Sequence, residues 1–268
     1  MNSISLTTIN IENGNRNPKL IKEKSNLIMK YEPDIILIQE SNLKSINLHN
    51  KYDLVKYPSD KKNYEKMDIF LKKDSYWNLE SFNYIISELG YVKRISKIIS
   101  VKNKITNKIL NIANVHLIGG RFEENDKIGK MLIGNIKTIR NRKNEILEKL
   151  VGQHNVNIIA GDFNSDLNCY LNNGTIQEHH LKFMKKISPK KELNIYQEWN
   201  NAPYTFLHNN NFLLSTNNEN TVTNTSLYNT HPDSIWYKKQ LQIIDYKLID
   251  FLTNDLSDHN GIYVKLNI

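Results

Sequence analysis

The sequence has one cysteine, Cys169, in 268 residues. No intrachain disulfide can form, and a cysteine-built metal site is excluded. A reducing compartment is the expected home of such a chain. No stretch approaches the roughly 18 consecutive apolar residues of a membrane span. The opening Met1-Asn2-Ser3-Ile4-Ser5 has no basic patch leading into an apolar run, so no secretory signal is visible. The expectation is a soluble intracellular protein, cytoplasmic or nuclear, with no membrane association and no obligate protein partner. Arginine is scarce. Arg16, Arg94, Arg121, Arg140 and Arg142 are the only ones among 36 basic residues. Internal repeats and linkers are also absent, so residues 1–268 read as a single domain.

What is present is charge and a large apolar fraction. The net charge of +8 favours polyanionic partners, nucleic acid or phosphorylated substrates. Heavy use of Lys, Asn and Ile is also what an AT-rich genome produces, and both readings stand. Hydrophobic residues at 39% suffice to close a large core. Ser3–Ile11 alternates like a strand, Pro18–Tyr31 has helical spacing, and Ile35–Ile38 is a short buried run. Strand, helix, strand in that order favours an α/β crossover. Strands are further expected at 52–57, 67–71, 91–102, 109–117, 156–160, 242–251 and 261–268. The best helix is Lys127–Val151, with Ile128, Met131, Leu132, Ile136, Ile139, Ile146, Leu147 and Leu150 as its apolar stripe. A short helix is read at 181–187. The Asn- and Thr-rich stretch at about 200–230 reads as a surface loop.

Five segments place acidic, amide or imidazole groups at the ends of apolar strands. They are Asn10-Ile11-Glu12, Gln39-Glu40, Asn114-Val115-His116-Leu117, Gly161-Asp162-Phe163-Asn164, and the pair Ile244-Asp245-Tyr246 with Ser257-Asp258-His259. A strand end can present polar groups to a ligand without burying them in the core. Carboxylate and amide oxygens without thiolates suit a hard cation, Mg²⁺ or Mn²⁺. Imidazoles beside carboxylates suit proton transfer near neutral pH. Such a set can support in-line attack of water on phosphorus. The remaining histidines, His231 among them, have no such context and read as surface or core residues.

In this order the five segments resemble the endonuclease/exonuclease/phosphatase superfamily, which includes deoxyribonuclease I and the tyrosyl-DNA phosphodiesterases. The motifs run from Asn10 to His259, nearly the whole chain. The resemblance implies a four-layer α/β/β/α sandwich of two mixed β-sheets flanked by helices. It implies a Mg²⁺- or Mn²⁺-dependent phosphodiesterase acting on nucleic acid, DNA before RNA. A phosphatase or lipid or inositol phosphoesterase of the same fold is the first alternative, and a non-catalytic nucleic-acid-binding module the second. Glu40 would hold the metal with Asn10, Glu12 and Asp258 near it, although the family usually has aspartate where Glu12 stands. Asp162 and Asn164 resemble the pair that orients water and phosphate. Asp245 resembles the aspartate that pairs with the final histidine, His259. His116-Leu117, with Arg121 five positions after the histidine, is similar to the tyrosyl-DNA phosphodiesterase branch, where Arg121 would fork onto a substrate phosphate.

Overall fold

The computed structural model describes residues 2–11, 17–41, 46–57, 67–89, 92–119, 138–172, 193–216, 224–227 and 230–268. Two six-stranded sheets pack face to face. The first has the order β11(Gln242–Ile249), β12(Gly261–Asn267), β1(Ser3–Asn10), β2(Ile35–Gln39), β4(Asp68–Lys72), β3(Tyr52–Leu54). The second runs β5(Trp77–Leu89), β6(Val92–Asn103), β7(Ile109–His116), β8(Ile158–Asp162), β10(Asp233–Lys238), β9(Phe212–Leu214). Both sheets are mixed. β1 and β2 are parallel, as are β7 and β8, and the other pairs are antiparallel.

The layers follow from which face each strand buries. Ile4, Leu6, Ile35 and Leu37 of the first sheet meet Ile99, Val101, Ile112 and Ile158 of the second in the central core. Ile9, Ile36, Ile38 and Phe70 turn to the first sheet's outer face, under α1(Pro18–Ile28). Ala113, Val115 and Ile159 do the same on the second sheet. They are covered by α2 (residues 138–148), which continues into a π-helical turn at Lys149–Gln153, and by α4(Leu193–Asn209). The short α3(Leu167–Leu171) lies between, its first turn capped by Asp166. Burial of β2 and β8 on both faces explains why the sequence reads as continuous apolar runs at Ile35–Ile38 and 156–160 rather than alternating ones. This is the α/β/β/α sandwich that the motif order implied.

Three features differ from the sequence reading. β5, a 13-residue edge strand, escaped notice because its apolar residues face outward as often as inward, Leu79 and Phe82 being exposed. The stretch at 200–230 is not a loop throughout. α4 runs through Pro203 to Asn209, anchored by buried Tyr204 and Leu207, and β9 follows directly. Tertiary packing of two large side chains three residues apart outweighs the low helix propensity of the asparagines. β10 was not anticipated either, and it carries a site residue. The expected helix at 181–187 and residues 127–137 of the long helix lie outside the described residues.

One glycine fixes how β7 and β8 approach. Gly161 has φ +140°, and a Cβ there would lie 2.0 Å from the Val115 carbonyl oxygen. Neither the torsion nor the space admits a side chain. Gly161→Ala is expected to destabilise the fold by about 2–5 kcal/mol, read by urea denaturation. A loss below about 1 kcal/mol would mean that these strands part more easily than their register implies.

Candidate active site

The topology brings one end of each central strand to a common edge. β1, β2, β7 and β8 point the same way and end there with Asn10, Gln39, His116 and Asp162. β10 and β12 are antiparallel to β8 and β1, so they start there. Asp233, the first residue of β10, is thereby the register partner of Asp162. The Ser257–Asn260 segment before β12 is tied to the same edge: Ser257 Oγ donates to the Asn10 carbonyl at 2.7 Å, and Asn260 N–H donates to the Thr225 carbonyl at 2.6 Å.

Asp162 is the centre of the cluster. Its Oδ1 accepts from the Asn164 N–H at 2.7 Å, and its Oδ2 accepts from Asn10 Nδ2 at 3.1 Å. His116 Nε2 lies 3.4 Å from the same Oδ2 and 3.9 Å from Glu40 Oε1. Asn10 Nδ2 also reaches Glu40 Oε1 at 3.3 Å. One amide thus bridges a carboxylate on each sheet. Burial acts against the Asp162 charge, but the imidazoles of His116 and His259 and the Asn164 and Asn10 donors outweigh it, and its carboxyl is held below the usual carboxylate range. Burial pushes the His116 imidazole down to about 4, against the pull of Asp162. It is therefore neutral at physiological pH, a hydrogen-bond donor rather than an acid.

His259 Nδ1 lies 2.7 Å from Asp233 Oδ2, and both side chains are buried. Burial disfavours the imidazolium, but Asp233, Asp162 and Asp258 together hold its proton above the usual histidine range. Asp233, not Asp245, is the carboxylate partner. Asp245 sits on the edge strand β11, its side chain 39% exposed and paired with Lys247 at 2.8 Å. The Ile244-Asp245-Tyr246 pattern imitates a motif at the wrong edge of the wrong sheet. Asp233 went unnoticed because Pro232 and Ser234 flank it with no apolar run before it. The sequence signal lies two residues later, in Ile235-Trp236-Tyr237, a short apolar run separated from the aspartate by Ser234 alone.

The backbone is strained where the site needs it. Glu40 has φ 48°, and Asn164 also has φ 48°. Asn tolerates the left-handed region better than Glu does. Asn164 Nδ2 donates to the Leu117 carbonyl at 2.9 Å. Gly119 makes room for this amide, since a Cβ at 119 would lie 2.4 Å from Asn164 Oδ1.

Of the expected site residues, Asn10, Glu40, His116, Asp162 and Asn164 meet at one point. His259 adjoins it through Asp233, because ligating atoms of Asp162, Asp233 and His259 lie within 4.8 Å of one another. Asp258 Oδ1 is 3.8 Å from His259 Nε2. That oxygen is buried and has no hydrogen-bond donor among the described residues, and burial raises the Asp258 carboxyl, with the charges of Glu40 and Asp162 adding to the rise. Glu12 and Arg121 lie outside the described residues.

No protein-family model matches the sequence, and no curated protein does. Solved structures do match. An endonuclease/exonuclease/phosphatase from Bacteroides vulgatus aligns over 100% of both chains with TM-score 0.63 at 17% identity. The fold is that of the endonuclease/exonuclease/phosphatase proteins. Other structures with this endonuclease/exonuclease/phosphatase fold include a Bacteroides thetaiotaomicron mannosyl-6-phosphatase, with TM-score 0.59, 15% identity and coverage of 99% of this chain and 100% of the other. D. rerio TDP2 complexed with a single-strand DNA product aligns over 100% of both chains, with TM-score 0.58 and 14% identity. Among the described residues no helix is long and apolar enough to cross a membrane.

The electrostatics are testable by NMR titration of the imidazoles. His116 is expected to stay uncharged from neutral pH down to about 4. His259 is expected to keep its proton above the ordinary histidine range. Asp233→Asn removes the charge that favours the imidazolium, so the His259 midpoint falls. Asp245→Asn leaves it where it was. A His259 midpoint that moves with Asp245 and ignores Asp233 would reverse the assignment.

Proposed function

We propose that this protein is a divalent-metal-dependent phosphodiesterase that hydrolyses phosphoester bonds in nucleic acid, DNA before RNA. The observation that carries the reading is the buried Asp162, held by donors from both sheets and adjoining the Asp233–His259 pair. The fold's known members are hydrolytic phosphoesterases, which makes that chemistry the natural use of such a cluster. The net charge of +8 and the likeness to a TDP2 structure holding a DNA product favour nucleic acid as substrate.

Glu40 is proposed as the principal metal ligand, with Asn10 and Asp258 beside it and Glu12 keeping the metal-side place the motif implies. The donors fit a hard cation. They are oxygens with no thiolate, and one of them, Asp258 Oδ1, is buried without a hydrogen-bond donor among the described residues. The group of Asp162, Asp233 and His259 also has a cation-binding composition. Its 2.7 Å hydrogen bond engages His259 Nδ1, so we assign it to handling protons. A bound Mg²⁺ or Mn²⁺ supplies charge neutralisation on the phosphate oxygens.

The chain's own groups do the rest. Asp162 Oδ2 accepts a hydrogen bond from the attacking water and aligns it with phosphorus. The neutral His116 donates to a phosphoryl oxygen. Asn164 has two amide hydrogens; one holds Leu117, and the second reaches toward the phosphate. His259, fixed in tautomer and orientation by Asp233, offsets the charge that grows in the transition state. Arg121 is proposed to grip a neighbouring phosphate.

Purified protein is to be assayed with Mg²⁺, Mn²⁺ and an EDTA control. The substrates are single- and double-stranded DNA, RNA, a 5′-tyrosyl oligonucleotide, a sugar phosphate and an inositol phosphate. Turnover of a nucleic-acid arm, abolished by EDTA, is expected. Turnover of the small phosphates alone would replace this reading with the phosphatase one, and binding without turnover would leave a nucleic-acid-binding module. Glu40→Ala should lower kcat on the order of a thousand-fold while circular dichroism stays unchanged. Asp233→Asn should lower it about a hundred-fold with KM nearly constant. If Glu40→Ala retains full metal-dependent activity, Glu40 is not a ligand.

A further inference from the structure

Lys143 is fully buried, at 0% exposure, on the face of α2 that packs against the second sheet. It occupies the apolar stripe four residues after Ile139 and four before Leu147, where a hydrophobic side chain would be at home. A lysine there gives up the hydration of its ammonium and needs a return in hydrogen bonds. Its Nζ donates to the Asn164 carbonyl at 2.7 Å and to Ser165 Oγ at 2.7 Å. Both acceptors belong to the turn that follows Asp162.

Four further observations bear on that turn. Asn164 is in the left-handed region, its N–H holds Asp162 Oδ1, and its side chain is tied to Leu117. Tyr204 from α4 donates its hydroxyl to the Ser165 carbonyl. The turn is therefore held from above by its own polar groups and from below by two helices. Among the described residues, Lys143 is the one that reaches the Asn164 carbonyl from below. That carbonyl lies in the 164–165 peptide plane and the Asn164 N–H in the 163–164 plane, joined at Cα, so holding the carbonyl fixes ψ of Asn164 and with it the left-handed turn on which the N–H to Asp162 sits.

We propose that Lys143 is a positioning residue for the phosphoester chemistry of this site: by donating to the Asn164 carbonyl it fixes the left-handed turn that orients Asp162. The proposal rests on the functional reading above. A lysine beside a serine hydroxyl also has the composition of a nucleophile and its base. Lys143 Nζ donates to both the Asn164 carbonyl and Ser165 Oγ, so it presents the serine with a proton rather than a lone pair and is not placed as its base. Burial pushes the ammonium down to about 7 against the pull of Asp162. The protonated and neutral forms both carry N–H donors, so the hold on Asn164 survives either state.

Two variants separate the donor from the packing. Lys143→Met keeps an unbranched buried stem and removes the donor. Lys143→Gln keeps an N–H donor and removes the charge. Lys143→Met is expected to lower kcat about ten- to a hundred-fold with KM within about two-fold of the parent. Lys143→Gln is expected to recover most of that loss. Amide hydrogen exchange supplies a readout independent of turnover. Protection of the Asn164 N–H should be lost in Lys143→Met and kept in Lys143→Gln, while protection in β7 and β8 is unchanged in both. Equal Asn164 protection and equal kcat in Lys143→Met would overturn the proposal, and so would a Lys143→Gln variant as impaired as Lys143→Met. Should Lys143→Met fail to fold, a folded Lys143→Gln with an unprotected Asn164 N–H would overturn it alone. If the parent protein turns over no substrate, the functional reading falls, and the exchange data still decide whether Lys143 holds the turn.

Discussion

A carboxylate buried between two sheets needs donors, and here no single sheet supplies them all. Asp162 leaves the second sheet and takes its Oδ2 donor from Asn10 of the first. A second bridge lies below it. Gln39 Nε2 of the first sheet donates to Asn114 Oδ1 of the second at 2.6 Å, and Asn114 Nδ2 returns to the Ile38 and Asp68 carbonyls, both at 3.1 Å. These amides are fully or nearly fully buried, so each broken contact exposes a desolvated polar group to nothing. The sandwich is held by apolar packing in its middle and by these amide bridges at the site end. A change in the angle between the sheets would disrupt the bridges and the site together.

That dependence shows why the short motifs sit where they do. Gly161 allows β8 to press against β7, which sets Asp162 opposite His116 in the parallel register. Gly119 opens the space into which the Asn164 amide folds. Each strand end contributes a polar group because only the strand ends lie beyond the apolar slab. The strain at Glu40 and Asn164 belongs to the same economy of space: left-handed residues stand one and two positions beyond the ends of Ile35–Gln39 and Ile158–Asp162, beside the carboxylates.

Much of this was legible in the sequence, and the exceptions have physical reasons. The buried strands Ile35–Gln39 and Ile158–Asp162 announced themselves as apolar runs, and Glu40 and Asp162 followed from where those runs stop. The histidine's partner was misread because Asp245 lies in a better-looking strand than Asp233 does. Sequence shows that a carboxylate follows apolar residues; it does not show which sheet edge the strand joins. Pairing of β10 with β8, a contact across some seventy positions of chain, decides that. Lys143 is the opposite case. Its signal was present, a charged residue breaking a helical stripe, yet such a break usually means only that the stripe is imperfect. Its meaning required seeing what stood opposite, a carbonyl in a strained turn.

Glu40, Asp162, Asp233 and Asp258 gather around two imidazoles, of which His116 is neutral and His259 carries a proton. An anionic phosphate ester would meet net negative charge there, and in a partly buried site that repulsion is only weakly screened. Lys143 cannot relieve it, since its ammonium is shut beneath the turn and spent on Asn164 and Ser165. The same carboxylates that would repel a bare phosphate create the potential that draws a divalent cation. Burial raises the Asp258 carboxyl, with the charges of Glu40 and Asp162 adding to the rise, and a cation held beside Glu40 and Asp258 would oppose both effects. On the proposed reading, metal and phosphate would be coupled in this site: the acidic cluster that would hold the metal would accept an anionic substrate only once the metal was there.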